Sequence, residues 1–488
     1  MKTKFLKKSE GVFMNILVLN GSPKGENSIT LQTVHFLELL SPKHTFTTIH
    51  VGQKIRLLEQ DFTEAKDEIE QADVILFSYP VYTFIVPYQL HRFIELMKEH
   101  NVNVTGKIAT QITTSKHFYD VTAHRFIQDN CQELGMNYIC GLSADMEDLP
   151  TKQGQYEAKK FWEHFLWSAK HQIYEPCYLK MTEPKRKSVT LPKELLFDNT
   201  VTIHSDYKET KTQSASYHFK EKQAGDVVII TDSTPDNTQL NSMILRFQSK
   251  LSVNSRIVNI TDYPLKGGCL GCFHCATDGV CIYKDGFDTF LRDNIQKADA
   301  IIYAFTIKDH SMGSRFKMYD DRQFCNGHRT VTMGMPIGYL ISGNYSEETN
   351  LQMIIEGRAQ VGGNILAGIA TDEEAPDKAI DELAKSLEYA LKHKNTQPQN
   401  FYGVGGMKIF RDLIYQMQGM MKADYQFFKA HGQFDFPQKK KGTIVGMYVV
   451  GAMLSSKKVK AKMGNKMTEG MLMPYKKVLK ELEKKIKE

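Results

Sequence analysis

Hydrophobic positions along the chain follow two patterns that alternate. Short apolar, β-branched runs predict buried strands, and between them apolar residues recur every three or four positions, as helices covering a sheet require. Such alternation builds a parallel sheet with its ligands at the carboxyl ends of the strands. We therefore predict an α/β fold of doubly wound parallel sheets. The first five predicted strands lie near 14–20, 45–51, 72–79, 106–112 and 137–142.

This succession of elements occurs twice. "MNILVLNGSPKGENSIT" (14–30) and "GDVVIITDSTPDNTQLN" (225–241) each predict a strand, a polar loop and a helix, and each is followed by a buried strand after Ala-Asp. The second set of strands is predicted near 226–231, 256–260, 299–305, 336–342 and 364–370. A polar, irregular stretch separates the two copies. We predict a first domain at 1–176, a linker at 177–224, a second domain at 225–396 and a basic, methionine-rich helical extension at 397–488.

The loop "NGSPKGENSIT" is the best candidate for a phosphate site. Gly21 and Gly25 permit tight backbone turns, and Ser22, Ser28 and Thr30 add hydroxyls at a helix start, where N–H groups and the helix dipole favour an anion. Lys24 adds a charge. The loop has neither GxxxxGK[ST] nor GxGxxG, which favours a monophosphate over a triphosphate. A purely structural turn is the alternative, because any strand-to-helix turn favours Gly, Ser and Asn.

A second loop follows the strand that ends near residue 79. "SYPVYTFIVPYQLHRFIE" places Pro80, Tyr82, Phe84 and Pro87 beside the phosphate loop, where aromatic faces could stack on a flat ring.

Together these two motifs resemble those of the flavodoxin-like NAD(P)H-dependent FMN reductases, with matching order and spacing over residues 14–175. The resemblance implies that FMN binds to the first domain and that NAD(P)H is the electron donor. It extends more loosely to "TTSKHFYD" (113–120). The cofactor-binding residues it implies are Ser22, Lys24, Asn27, Ser28 and Thr30 for the phosphate, and Pro80, Val81, Tyr82, Thr83, Phe84, Thr114 and Ser115 for the flavin.

The second copy departs from this pattern. Its loop "TDSTPDNTQLN" has no glycine and carries Asp232 and Asp236, which should weaken anion binding. Its third strand lacks the aromatic Pro-Tyr loop, although "MGSRFKMYDDR" still resembles the helix that follows the flavin loop in the family. We therefore expect one FMN per chain, with an intact second site as the alternative. His310 and His328 flank the changed loop, and structural roles are expected for both.

Four cysteines in "CLGCFHCATDGVC" form a CxxCxxCx5C motif. Thiolates at this spacing can converge on one centre, a [4Fe–4S] cluster or a structural zinc. The motif resembles that of the iron–sulfur flavoproteins, a branch of the same family, and a metal-free loop remains an alternative. The candidate ligands are Cys269, Cys272, Cys275 and Cys281.

Composition places few limits on function. With 41% hydrophobic and 24% charged residues, the chain has the composition of an ordinary globular protein. No signal-type segment follows the basic start, so we expect a cytoplasmic protein. The longest apolar run, 442–454, is too short to span a bilayer, so we expect a buried or docking helix, with a membrane-surface helix as the alternative. Residues 439–488 hold 14 Lys against 4 Glu, and we interpret these lysines as the solvated side of amphipathic helices. A surface for acidic lipid, nucleic acid or an acidic redox partner is the alternative, although no nucleic-acid motif accompanies the charge.

These observations predict a flavin-dependent NAD(P)H oxidoreductase. Electrons would pass from FMN to a small-molecule or protein acceptor, directly or through a cluster on the second domain. No nucleic-acid partner is expected. A homodimer is possible, because the resemblance suggests that the cluster of one subunit lies near the FMN of its partner; here the second domain could supply it in the same chain. The competing class is a non-enzymatic electron-transfer or redox-sensing flavoprotein.

Overall fold

The computed structural model describes residues 13–179, 186–192, 203, 205, 223–394 and 396–487. The basic start of the chain and most of the expected linker at 177–224 lie outside the described residues. The chain divides into two compact units, one ending at Phe427 and one covering Phe428–Glu488.

The first sheet confirms the five strands expected in the first part of the chain. All its pairings are parallel, in the order β2-β1-β3-β4-β5. A sixth strand, β6, pairs with β4 and was missed because four residues are too few to show a period. The strands are β1 Asn15–Asn20, β2 Thr45–Ile49, β3 Val74–Pro80, β4 Ile108–Ser115, β5 Asn137–Tyr138 and β6 Leu142–Asp145. The helices are α1 Ile29–Leu40, α2 Val51–Gln60, α3 Thr63–Gln71, α4 Tyr88–Glu99, α5 Asp120–Glu133 and α6 Lys152–His171.

The second sheet repeats the first. Its strands are parallel in the order β11-β10-β9-β7-β8, which places its first strand between its second and its third. The strands are β7 Gln223–Thr231, β8 Val253–Asn259, β9 Ala300–Thr306, β10 Pro336–Ser342 and β11 Ile365–Thr371. The helices are α7 Thr238–Lys250, α8 Phe287–Asn294, α9 Gly313–Arg322, α10 Thr349–Gly362 and α11 Pro376–His393.

Both sheets therefore have the strand order 2-1-3-4-5 of a flavodoxin-like doubly wound fold. Apolar side chains from each sheet and its helices form the cores, such as Val18 and Leu76 in the first and Val228 and Ile302 in the second. The predicted fold class is confirmed. We refer to residues 14–175 and 223–394 as the first and second modules.

Corresponding helices of the two modules pack against each other. Helix α4, which follows the third strand of the first module, contacts α9, which follows the third strand of the second, and α5 contacts α10 in the same way. The contact is close, because a Cβ added to Gly357 of α10 would lie 2.6 Å from the ring of Tyr119. One chain thus contains the kind of self-complementary interface that usually joins two identical subunits.

Helices also follow the second module, as expected. Helix α12 (Phe401–Gln416) stacks Phe410 on Phe118 of the first module, with ring centroids 4.4 Å apart. Helices α13 (Lys422–Ala430), α14 (Lys441–Leu454) and α15 (Lys457–Lys487) complete the chain. Among the described helices, none has the length and apolar character needed to cross a membrane.

His310 forms a charged contact across the interface between the modules. Its Nδ1 lies 3.0 Å from Oε1 of Glu348, and its Nε2 lies 3.4 Å from Oε2 of Glu133 on α5. These carboxylates raise the pKa of the largely buried His310 to about 9, against the desolvation that acts to lower it. His310 thus has a structural role, because it holds α5 against the second module.

We predict that this contact makes the stability depend on pH. A raised pKa in the folded state stabilises it fully below the unfolded pKa of about 6.5, and this contribution is lost as the pH rises through about 9. The difference corresponds to at most roughly 3 kcal/mol. Urea unfolding of the wild type and His310→Gln at about pH 7 and about pH 10 measures it. The variant should lose less stability between the two pH values, and an equal loss in both proteins would contradict the assignment.

Candidate functional site

Asn20, at the end of β1, shapes the loop predicted to bind phosphate. Its buried side chain accepts a hydrogen bond from the N–H of Ser22 (3.1 Å) and donates one to the carbonyl of Gly25 (3.0 Å). The loop is also packed against α2, since a Cβ on Gly52 would lie 2.2 Å from the carbonyl of Ser22. Asn20 and Gly52 were not predicted as part of this site; an asparagine that ends an apolar strand was the available signal.

Ser22 and Ser28 have buried hydroxyls that accept hydrogen bonds and keep their O–H groups available as donors. The Oγ of Ser22 accepts the N–H of Lys24 at 3.3 Å, and the Oγ of Ser28 caps α1 by accepting the N–H of Leu31 at 3.4 Å. Each hydroxyl can therefore still donate to an anion. Together with Lys24 on the same loop, this donor set fits a phosphate. Asn27 is exposed on the same loop.

The fourth strand adds hydroxyls beside the loop. The Oγ1 of Thr114 lies 2.6 Å from the Oγ1 of Thr30, and Ser115 follows in the chain with its Oγ accepting the N–H of His117 at 2.9 Å. Pro80 pairs with Thr114 in the sheet, and the N–H of Val81 donates to the Thr114 carbonyl at 3.4 Å. The ends of β1, β3 and β4 thus bring the predicted residues together.

The loop after β3, which we call the flavin loop (residues 80–87), has an unusual backbone. Tyr82 and Ile85 exchange backbone hydrogen bonds, and the two residues between them, Thr83 and Phe84, have positive φ angles of 38° and 77°. Left-handed backbone at residues other than glycine costs energy, so the surroundings must stabilise it.

The second module supplies that stabilisation. Asp321 of α9 accepts the hydroxyl of Thr83 and the N–H of Tyr88, both at 2.7 Å. Lys317, one turn earlier on α9, donates to the carbonyl of Tyr82 at 2.8 Å and forms an ion pair with Asp321. Both charged side chains are fully buried. The flavin loop of the first module is therefore held by a helix of the second.

The same loop backbone recurs in the second module. Lys308 and Ser311 exchange backbone hydrogen bonds, and the intervening Asp309 and His310 have φ angles of 54° and 59°. The second module therefore has the same loop geometry as the first, although the two loops do not resemble each other in sequence.

The first module holds that loop in return. Glu95 of α4, which corresponds to Asp321, accepts the N–H and the hydroxyl of Ser314 at 2.8 and 2.6 Å. His91, which corresponds to Lys317, lies 3.5 Å from Asp309. The two modules thus brace each other at equivalent positions, with different side chains on the two sides.

Phe84 faces away from Tyr82. Its buried ring packs 4.4 Å from the ring of Tyr119 and 5.1 Å from the guanidinium carbon of Arg358 on α10. Arg358 in turn pairs with Asp320 of α9 at 2.5 Å. In this structure the Phe84 side chain lies in the interface between the modules, whereas Tyr82 lies on the side of the cysteine loop.

The cysteine loop, residues 267–286 of the second module, lies against the predicted flavin site of the first. A Cβ on Gly271 would come within 1.8 Å of the Tyr82 hydroxyl, so only glycine permits this approach. The ammonium of Lys24 lies 5.3 Å from the centre of the Phe273 ring. Burial raises the pKa of Tyr82 well above its ordinary value, with Cys269 as the next cause, so the phenol stays protonated.

The four cysteines of this loop differ in their surroundings. Cys272 is exposed and the other three are partly buried. Burial raises the pKa of the Cys275 thiol to about 11, and that of Cys269 still further. Among the described residues, no three cysteine sulfurs lie within 4.8 Å of one another. A tetrahedral zinc site, with Zn–S of about 2.3 Å, would hold its sulfurs about 3.8 Å apart.

Arg322, at the end of α9, closes the cysteine loop. It forms two 2.8 Å hydrogen bonds with Asp285, donates to the carbonyl of Gly267 at 3.1 Å, and lies 3.8 Å from the sulfur of Cys281. Both ends of the loop are therefore attached to the helix that holds the flavin loop.

The corresponding site of the second module has a different character. Asp232 occupies the position of Gly21, and burial raises its pKa to about 7. The adjacent Ser233 hydroxyl is engaged by Asn241 at 2.5 Å. A carboxyl group at the loop therefore takes the place of the glycine found in the first module.

Comparisons with known proteins agree with the fold. Residues 14–130 match a family described as Flavodoxin-like fold. A search of curated proteins gave no match.

Among solved structures, the chain is similar to an NADH:FMN oxidoreductase (20% identity; 32% of this chain and 89% of that one covered; TM-score 0.29). It is also similar to FerB, a flavoenzyme NAD(P)H:(acceptor) oxidoreductase from Paracoccus denitrificans (20% identity; 33% and 97% covered; TM-score 0.27). A third similar structure is an FMN-dependent NADH-azoreductase from Bacillus anthracis in complex with FMN (15% identity; 33% and 99% covered; TM-score 0.25). At these identities the likeness concerns the fold alone.

We predict that the stability of the folded chain depends on the pairing of Lys317 with Asp321. Asp321→Asn leaves the Lys317 charge buried without its partner, which should lower the free energy of unfolding by about 3–5 kcal/mol. Lys317→Met/Asp321→Asn should recover part of this loss, because no charge then remains buried. Urea unfolding measures both changes.

The matched control is Asp293→Asn. Asp293 pairs with Lys297 at the same i,i+4 spacing, but both side chains are exposed, at 52% and 71%. This change should cost less than about 1 kcal/mol. Equal effects of Asp293→Asn and Asp321→Asn would show that the buried pair has no special role.

Proposed function

We propose that this chain is a flavin-dependent NAD(P)H oxidoreductase that binds one FMN on its first module. The supporting observation is the convergence of a hydroxyl-lined, lysine-bearing loop and a braced aromatic loop at the carboxyl ends of β1, β3 and β4. In open α/β sheets, ligands bind at this edge. Bound FMN would supply a ring that accepts a hydride from a nicotinamide and passes the electrons on in pairs or singly.

The residues of the chain would bind and orient that group. Ser22, Ser28 and Thr30, with Asn27, would donate hydrogen bonds to the phosphate, and Lys24 would neutralise part of its charge. Pro80, Val81 and Tyr82 would border the ring, together with Thr114 and Ser115. Thr83 would act as the attachment of the flavin loop to α9.

Activity separates this proposal from a non-enzymatic electron-transfer or redox-sensing role. Purified, flavin-loaded protein is mixed with NADH or NADPH and an artificial acceptor, and nicotinamide oxidation is followed at steady state. Turnover supports the enzyme. Stable binding of FMN without turnover would favour the electron-transfer class.

We predict that Ser22→Ala/Ser28→Ala weakens FMN binding at least tenfold. Each hydroxyl would make a charge-assisted hydrogen bond worth about 1.5–3 kcal/mol. Titration of apo-protein with FMN measures the change. Since Ser28 also caps α1, the control is Thr151→Ala, which removes the comparable cap of α6 from Gly154. Wild-type FMN affinity in the double variant would refute the phosphate assignment.

We further propose that the cysteine loop holds a [4Fe–4S] cluster that receives electrons from FMN within one chain. Four thiols in one loop supply the number and type of donors that such a cluster requires. The contact between Tyr82 and Gly271 supports a short path between the two sites. Cys269, Cys272, Cys275 and Cys281 would hold this cluster, which would supply one-electron chemistry beside the proposed flavin site.

We predict that serine at Cys269, Cys272, Cys275 or Cys281 removes iron and leaves FMN content nearly unchanged. Reduction of FMN by NAD(P)H should persist, while transfer to a one-electron acceptor should slow. Iron, sulfide and flavin assays on anaerobic protein measure this, with Cys140→Ser, an exposed cysteine of the first module, as control. A wild-type preparation with full FMN, no iron or zinc and four alkylatable thiols would exclude the relay.

A further inference from the structure

Helix α14 is apolar and exposed. Thr443 to Leu454 contain no charged residue, yet Val445 is 61% exposed, Met447 61% and Tyr448 78%. Ile444, Val449, Val450 and Met453 are also exposed, by 39–54%. Helix α14 contacts α15 within its own unit, and these side chains nevertheless remain exposed.

The apolar residues surround the helix. At 100° per residue, residues 444, 448, 445, 449, 453, 450 and 447 point at about 0°, 40°, 100°, 140°, 180°, 240° and 300° around the helix axis, so they do not share one stripe. A protein groove covers one face of a helix, whereas a helix apolar on all sides requires an apolar medium around it. Its 14 residues measure about 21 Å, short of the roughly 30 Å of a bilayer core. The helix is therefore suited to entering a bilayer surface but too short to span the hydrocarbon core.

The last part of α15 has a second feature of interfacial helices. Tyr475, Val478, Leu479, Leu482 and Ile486 recur every three or four positions and are 52–75% exposed. Five lysines lie at the positions between them, together with Glu481 and Glu483. This separation of an exposed apolar stripe from a lysine-rich face is typical of helices that lie in a membrane surface.

The lysines around α14 indicate that the surface it binds is anionic. Lys439, Lys440 and Lys441 precede α14, and lysines 457, 458, 460 and 462 follow it. The stretch 439–488 holds 14 Lys and 4 Glu, a net charge of +10. Such lysine clusters flanking apolar helices complement anionic lipid headgroups, to which their long side chains extend.

We propose that α14 and α15 dock the protein on the surface of an anionic lipid bilayer. The apolar residues of α14 and the stripe of α15 enter the headgroup–acyl boundary, and the lysines contact anionic headgroups. This inference is independent of the proposed flavin chemistry. A second copy of the chain would be the competing occupant of the same apolar surface.

Co-sedimentation of the full chain with vesicles tests the proposal. Vesicles of equal parts phosphatidylcholine and phosphatidylglycerol should bind the wild type, and vesicles of phosphatidylcholine should bind it much more weakly. High salt should weaken binding to the anionic vesicles. Val445→Asp/Val449→Asp should lower binding more than about tenfold, because exposed apolar contacts are replaced by charges that anionic lipids repel.

The control is Leu39→Asp, which changes a side chain that is 82% exposed on α1. It should bind vesicles as the wild type does. Lys440→Gln/Lys441→Gln provides a second variant that leaves α14 apolar, and it should weaken only the anionic-vesicle binding. Circular dichroism confirms that each variant is folded.

Three results would overturn the proposal. The first is that the wild type does not bind anionic vesicles. The second is that Val445→Asp/Val449→Asp binds them as the wild type does. The third is that light scattering without lipid shows a dimer that Val445→Asp/Val449→Asp converts to a monomer, which would assign the apolar surface to a second copy.

Discussion

The buried ion pair between Lys317 and Asp321 is the interaction on which the arrangement of the site depends. It holds the left-handed backbone of the flavin loop, although both residues belong to the other module. The neighbouring residues of α9 make further contacts around the site. Asp320 binds Arg358 of α10, and Arg322 binds both ends of the cysteine loop. A buried charge pair adds little net stability, but it fixes one geometry, because every alternative leaves a charge unpaired.

The two modules share a backbone plan and differ in chemistry. In the first, glycine, hydroxyls and a lysine line the loop after β1; in the second, a carboxyl group of raised pKa lies there. The second module instead carries the cysteines and supplies the bracing helix. Because each module holds the other at equivalent positions, either one can change its own loop chemistry while the shared interface is retained.

The sequence predicted the sheets well because their strands are buried runs of β-branched residues, which are distinctive. It also predicted which loops meet, since parallel strands end at one edge. It could not predict the bracing of the flavin loop. Thr83, Phe84, Asp309 and His310 adopt left-handed backbone without glycine, and Lys317 and Asp321 look like solvated helix residues in a pattern of charges. Strand β6 was too short for a periodic signal.

The most direct test of the account is the number and position of flavins on the full chain. Protein saturated with FMN and freed of excess is assayed for flavin per polypeptide, for the wild type and for Ser22→Ala/Ser28→Ala. The account predicts one FMN per chain, lost from the double variant at limiting flavin. Two FMN per chain would contradict it. So would one FMN that the wild type and Ser22→Ala/Ser28→Ala bind equally well.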